Sequence, residues 1–413
     1  MHWQDPDQKT DRMAATLTFE EDLTTAFQGV KRSLHDMLGA AQVDVSAPGD
    51  AARRLGLNRN LTWKLAKVLG ETDIYSALQH LPGDEGIEIL TTALRRIGVA
   101  PELLEAFAAA LRQFDGVVRV HAGDRGTLEM ILDSMGGAGS GERLEQSRKL
   151  AFRGNSGLWG LQAKVRSTTT LVAPNLLDPT KIDLCIVGGV VEFRRLRPGI
   201  RWPLFRPRQY HDDGTPIVLG PKEEPVDPSA TDPSSPMLIR DFCSENMPEI
   251  RAVRSRLGWD YEMGDGPVGN TGAFTCFFGR IVRQADSKFR TPTNRYFDLL
   301  SHVTMPAETM VFDLLVHQDF PFMMSPRVML VASTDGSSPG ESGQTIPLEA
   351  RPVELTGRPP MLGTPLIPRY DELTAMLFER IGRPAREFRA LRLTVKYPPM
   401  HAVTVLRSEL PEA

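Results

Sequence analysis

The chain predicts an α+β protein: an all-α N-terminal helical domain followed by a β-rich, mainly antiparallel C-terminal domain that carries one late amphipathic helix. Three observations carry this. Up to about residue 135, apolar residues recur at spacings of three and four, the period of a helix. From about Ser167, alternation in steps of two and turn residues take over. Near the end, RYDELTAMLFERIG sets Leu373, Met376, Leu377 and Ile381 on one stripe. With 413 residues the chain is long for a single core. The expected division is a flexible leader at 1–16, a helical domain at 17–135, a glycine joint with a connecting helix at 136–166, and the β-rich domain at 167–413 with a polar surface loop at 220–236.

In chain order, the first helix is expected at 18–38. Phe19, Leu23, Phe27, Val30, Leu34 and Met37 make its inner stripe, its first turn is acidic, and Gly39 should stop it. After residue 70, helices are expected at 74–81 and 87–97, with a PGDEG turn between them. Another starts at Pro101, with proline in its favoured first turn. A short extended piece at 117–120 and a helix at 127–135 complete the domain. The cluster GGAGSG (136–141) lacks the Lys-Ser/Thr of a phosphate loop, so it reads as a joint. The helix at 142–165 carries Arg143, Arg148, Lys149, Arg153 and Lys164, with Arg166 directly after it, a kink or break expected near Asn155, and Trp159 and Leu161 turned inward. It suits either a phosphate backbone or a solvated connector.

In the β-rich part, IDLCIVGGVVEFRRL reads as a long buried strand bent at Gly188-Gly189. Arg194, Arg195, Arg197, Arg201, Arg206 and Arg208 come next, interleaved with aromatics. They suit an anionic ligand or, by preference, ion pairs to the acidic stretch after them. Strands are expected at 237–242, 258–262, 273–283, 308–317 and 327–332. The end reads as a half-buried strand, EFRALRLTVKY, and a closing hairpin with AVTVLR.

Composition narrows the function classes. Hydrophobic content of 41% and charged content of 24% are ordinary for a globular protein. The net charge of −4 requires any nucleic-acid surface to be a local patch. The polar start and the short apolar run at 184–191 argue against a signal peptide and a membrane span, so a cytoplasmic protein is expected. The cysteines Cys185, Cys243 and Cys276 are odd in number and widely spaced, which argues against a disulfide framework or zinc knuckle.

One stretch reads as a device: PGDAARRLGLNRNLTWKLAKVL, residues 48–69. It carries five basic residues and one acid. Ala52 is small where two helices would touch, and Gly56 tolerates a tight turn. Ala51, Leu55, Leu57 and Leu65 seal an inner face, with Thr62 in place of the more usual Val or Ile. Asp50 is placed to cap the first helix, and Asn58 or Asn60 the second. This stretch resembles the helix-turn-helix of bacterial transcriptional regulators, over these twenty-two residues alone. The resemblance implies DNA base contact through Arg59, Asn60, Trp63 and Lys64 and phosphate contact through Arg53, Arg54 and Lys67. It further implies a homo-oligomer with half-sites roughly 34–36 Å apart. Residues 71–90, ETDIYSALQHLPGDEGIEIL, read as helix, turn, helix, so no β-hairpin wing is expected.

No catalytic constellation emerges, and no cofactor or metal is implied. The eight histidines show no metal-ligand spacing. Tyr210-His211-Asp212-Asp213 reads as a polar turn, and His317 with Asp319 as a strand end able to host acid–base chemistry. Residues 336–340 fit G-x-S-x-G in letters only, because Pro339 would hinder the nucleophile turn. The expectation is a DNA-binding regulator whose C-terminal part senses an unidentified small molecule or drives oligomerisation. An assembly protein that docks a partner, or an enzyme with its site in the β-rich part, are the alternatives.

Overall fold

The computed structural model describes residues 18–134, 140–205, 209–210, 216–217, 223–230, 237–255, 258–292, 294–332 and 345–413. The chain forms two compact units, Met1–Leu144 and Glu145–Ala413. The expected leader lies outside the described residues, as do Gly136, Arg206, Arg208, most of the loop at 220–236 and the G-x-S-x-G letters.

Helix α1 (Phe19–Ala40) begins on a capping box: Thr18 accepts from the Glu21 backbone N–H, and the Glu21 carboxylate accepts from the Thr18 N–H. Its stripe from Leu23 to Met37 is buried. The helix passes through Gly39, the expected stop, and the left-handed turn falls on Gln42 at φ 51°. Helices α2 (Pro48–Leu55), α3 (Arg59–Gly70), α4 (Ile74–Leu78), α5 (Asp84–Arg96), α6 (Pro101–His121) and α7 (Arg125–Ser134) come next. Helix α6 runs antiparallel along α1. Phe27 meets Phe114 with ring centres 5.9 Å apart, and His121 Nε2 lies 2.8 Å from the Asp22 carboxylate. The extended piece expected at 117–120 is instead the end of α6. Val118 there faces the core while Val120 is exposed, and the chain keeps the helical period.

Helix α8 (Ser140–Trp159) runs on through Gly154, Asn155 and Gly157, so the expected alternative of a break there is absent. Its stop is Gly160, at φ 69°, and the chain turns directly into strand β1 (Leu161–Pro174). The helical reading of 142–165 therefore overran by six residues. Leu161 is fully buried as expected, but Trp159 is 41% exposed, set edge-on to Trp202.

The second unit continues with β2 (Lys181–Arg195), β3 (Trp202–Phe205), β4 (Gln209–Tyr210), β5 (Pro216–Ile217), β6 (Glu223–Pro225), β7 (Ile250–Ser255), β8 (Gly258–Met263), β9 (Phe274–Ser287), β10 (Tyr296–Val303), β11 (Ala307–His317), β12 (Arg327–Ala332), β13 (Val353–Leu355), helix α9 (Tyr370–Ile381), β14 (Phe388–Lys396) and β15 (Ala402–Glu409). Seven strands form the main sheet in the order β13-β14-β11-β1-β2-β9-β6, in which β1 and β11 are parallel and the other pairs antiparallel. One face packs on α9 through Val165, Val187, Phe277, Leu315, Leu373 and Leu377. The opposite face meets the small sheets β10-β15-β12 and β3-β8-β7, each with its own apolar cluster.

Three expectations fail here. The last two strands do not form a hairpin: β14 pairs with β11 and β13, whereas β15 pairs with β10 and β12 in another sheet. The turn between them, with Tyr397 and His401 at positive φ, hands the chain across layers. The irregularities in the pairing of β2 with β9 lie not at Gly188-Gly189 but between Ile182 and Leu184 and between Val190 and Phe193, where Glu192 takes φ 48°. The two glycines instead admit rings, since a Cβ on Gly188 would sit 2.3 Å from Phe278 and one on Gly189 2.4 Å from Phe277. The segment expected as a strand at 237–242 supplies one bridge, Leu238 to Phe278, and then a 3-10 turn, Arg240–Phe242.

An ion pair between neighbouring strands of the sheet, Arg392 of β14 and Asp313 of β11, is met from α9 by Tyr370. Arg392 donates to both Asp313 oxygens at 2.9 and 2.7 Å and to the Leu362 carbonyl at 2.6 Å. The Tyr370 hydroxyl donates to Asp313 at 2.8 Å and lies 2.7 Å from the Thr169 hydroxyl.

Candidate nucleic-acid interface

The stretch 48–69 folds as two helices joined by a three-residue turn at 56–58. Pro48 opens α2 at its first position, and no side chain caps it. Asp50 therefore does not cap, because proline has already set the backbone two residues earlier. Asp50 pairs with Arg53 instead. Gly56 closes α2 in the left-handed region at φ 66°. Asn58 caps α3, accepting from the Asn60 N–H at 2.8 Å.

Thr62 is fully buried, and its hydroxyl donates to the Pro48 carbonyl at 2.9 Å and lies 3.0 Å from the Arg59 carbonyl. It keeps the shape of Val and adds a bond across the pair. Ala51, Leu55, Leu65 and Val68 are buried in the core shared with α1, and Ala52 is nearly so.

The opposite face of α3 carries the residues expected to meet DNA. Arg59, Asn60 and Trp63 are exposed and Lys64 is half-buried. Arg53 and Arg54 are exposed on α2. Lys67 is half-buried and pairs with Glu71 at 2.9 Å, so of the three cations assigned to phosphate it is the one most engaged within its own unit.

Two residues outside the stretch join this face. His80 stands edge-on to Trp63, with ring centres 5.2 Å apart. Burial, then the charge of Lys67 and less so of Lys64, holds its imidazole below the usual value, with Glu71 opposing. Arg96 of α5 donates to the Leu55 carbonyl at 2.8 Å, satisfying an end group of α2. Both lie beyond the motif, and no spacing rule connects them to it.

The other candidates gather into no comparable site. His317 is 3% exposed; its Nε2 lies 3.1 Å from Glu387, and its Nδ1 accepts from the Asp319 N–H at 3.3 Å. Phe388 covers the ring edge-on, so the imidazole is clamped on both nitrogens. His211 and its acidic neighbours lie outside the described residues. Burial pushes the Cys185 thiol up to about 12 and raises Cys276 further, which leaves both unreactive. Among the described residues no three His, Cys, Asp or Glu are grouped to hold a metal ion, and no helix is long and apolar enough to cross a membrane.

Of the arginine-rich segment, Arg194 pairs with Glu192, and Arg195, almost wholly buried, donates to the Gly264 carbonyl. The acids Glu223 and Glu224 pair with Arg280 and Arg283 of β9.

Compared with known protein families, with curated proteins and with solved structures, the chain matches none.

Proposed function

We propose that the chain binds double-stranded DNA through α2 and α3, with α3 in the major groove, and that the C-terminal unit senses a ligand or pairs two copies. The observation that carries this is the split character of α3: Thr62, Leu65 and Val68 are buried, while Arg59, Asn60 and Trp63 are exposed beside Lys64. A guanidinium and an amide on the first turn of a helix match base edges. Arg53 and Arg54, one helix back, are placed for phosphates. The chemistry favours nucleic acid over a protein partner, since a helix docked in a protein groove presents apolar anchors at three- and four-residue spacing. Here Trp63 is the single large apolar group on that face.

Gel shift of the full chain on mixed genomic DNA fragments at low salt tests this. Retarded complexes that dissolve as salt rises are expected. A folded protein that retards nothing would rule the proposal out.

A further inference from the structure

We propose that the second unit carries a binding surface for single-stranded nucleic acid, on which Trp159 stacks against a base while Arg197 and Arg201 meet the phosphates. The surface stands apart from α3 and does not depend on its reading duplex DNA.

Three stretches far apart in the chain build it: the end of α8, the segment 196–202 after β2, and the turn between β14 and β15. Helix α8 ends at Trp159, and Gly160 turns the chain into β1 at φ 69°. The Arg197 side chain lies over that turn, since a Cβ on Gly160 would sit 2.7 Å from its Cγ and Nε. The Trp159 indole meets Trp202 edge-on with ring centres 5.3 Å apart, and His401 edge-on at 6.2 Å. About two turns earlier on α8, Phe152 packs on Tyr397 at 5.5 Å. Lys149, a turn further back, places Nζ 5.7 Å from the same ring centre. The two basic segments that the sequence left without a role thus meet at one aromatic ledge.

The ledge is open. Trp159 meets two rings and is still 41% exposed, with Leu158 beside it at 73% and Leu196 at 43%. Arg197, Arg201 and His401 are exposed as well. Neither arginine forms an ion pair among the described residues. The acids expected to neutralise them, Glu223 and Glu224, go to Arg280 and Arg283. Of the nearer carboxylates, Glu192 is engaged by Lys164 and Arg194, Glu145 lies 3.7 Å from Lys396, and Asp265 acts on the buried Arg195.

An indole set among uncommitted guanidinium groups matches an unpaired strand. Any base offers a face to stack, and the cations follow the backbone. A duplex hides those faces within its own stack. A neutral sugar would use the indole and leave the arginines idle.

The probe is a fluorescently labelled oligothymidylate of about twelve nucleotides, compared by anisotropy with an abasic strand of equal length, on the full chain. Wild type should bind the thymidylate and hold the abasic strand about fivefold to a hundredfold more weakly, the worth of one stacked base. An oligouridylate should follow the thymidylate, because rings and phosphates are common to both. Trp159→Ala should cost the thymidylate that same factor and leave the abasic strand unchanged, and Trp159→Phe should restore part of the loss. Arg197→Gln should weaken both strands alike and reduce the slope of log affinity against log salt by about 0.7. Arg59→Ala, on α3, should change neither, which separates failure here from failure of the duplex reading. The wild-type comparison decides the matter even where a variant fails to fold. No binding at micromolar protein and low salt, equal affinity for the abasic strand, or displacement by neutral maltohexaose would each overturn the proposal.

Discussion

The imidazole of His80 stands edge-on against the indole of Trp63, 5.2 Å between ring centres at 76°. This ties the turn after α4 to the outward face of α3 and sets a titratable ring near Lys67 and Lys64, whose charges add to burial in holding its pKa below the usual value. A nearby DNA phosphate would raise the His80 pKa, so binding takes up a proton and tightens as pH falls. Fluorescence anisotropy at fixed ionic strength should show affinity rising from pH 8 to about pH 6. His80→Gln should flatten that dependence while leaving affinity at pH 8 nearly unchanged. A flat wild-type profile would place phosphate away from this ring.

Gly56 should resist substitution. A Cβ there would meet a positive φ of 66° and lie 2.9 Å from the Arg96 nitrogen that holds the Leu55 carbonyl. Gly56→Ala should cost about 1–2 kcal/mol from the backbone alone, and more if Arg96 is displaced. Thermal unfolding of the N-terminal unit reads this. Arg96→Ala should cost about 1 kcal/mol, the worth of one hydrogen bond, and a neutral Gly56→Ala would show the turn to be softer than its geometry.

In the second unit, Asp313 is fully buried beneath α9 and balances Arg392. Asp313→Ala leaves that guanidinium uncompensated and should cost about 3–5 kcal/mol, read as a fall in the urea midpoint. Tyr370, whose hydroxyl is kept protonated by burial and by the Asp313 charge, donates to the same carboxylate. Tyr370→Phe should cost only about 1 kcal/mol. If the two substitutions cost the same, the ion pair is not the fastening.

Local period made much of this fold legible. The α1 stripe, the Pro101 start of α6, the alternation in β14 and the α9 stripe all fall where the spacing of apolar residues puts them. What failed was the meaning of single residues and of long-range pairing. Gly154 and Gly157 suggested a break, yet helix α8 absorbs both and stops at Gly160, because only there does the chain need a positive φ. Strands β7 and β10 went unseen, the latter because its alternation, Phe297, Leu299, Ser301, Val303, places a buried serine among apolar residues. Ser301 is satisfied by Thr168 across the layer, at 2.8 Å, a pairing that nothing in either segment announces. The parallel pairing of β1 with β11, in which Ala163 faces Ala307, likewise leaves no local mark. In the N-terminal unit the turn at 56–58 and the exposed row on α3 were legible, whereas the neighbours of that row, His80 and Arg96, were not.

The most direct measurement is the salt dependence of DNA affinity for wild type, Arg54→Ala and Arg59→Ala, on a selected site and on a random fragment. Arg54→Ala should weaken both fragments alike and reduce the slope of log affinity against log salt by about 1. Arg59→Ala should cost about 1–3 kcal/mol on the selected site and narrow its advantage over the random one. Wild-type chain that binds neither fragment, or binding that both substitutions leave untouched, would contradict the assignment of α3 as a DNA-reading helix.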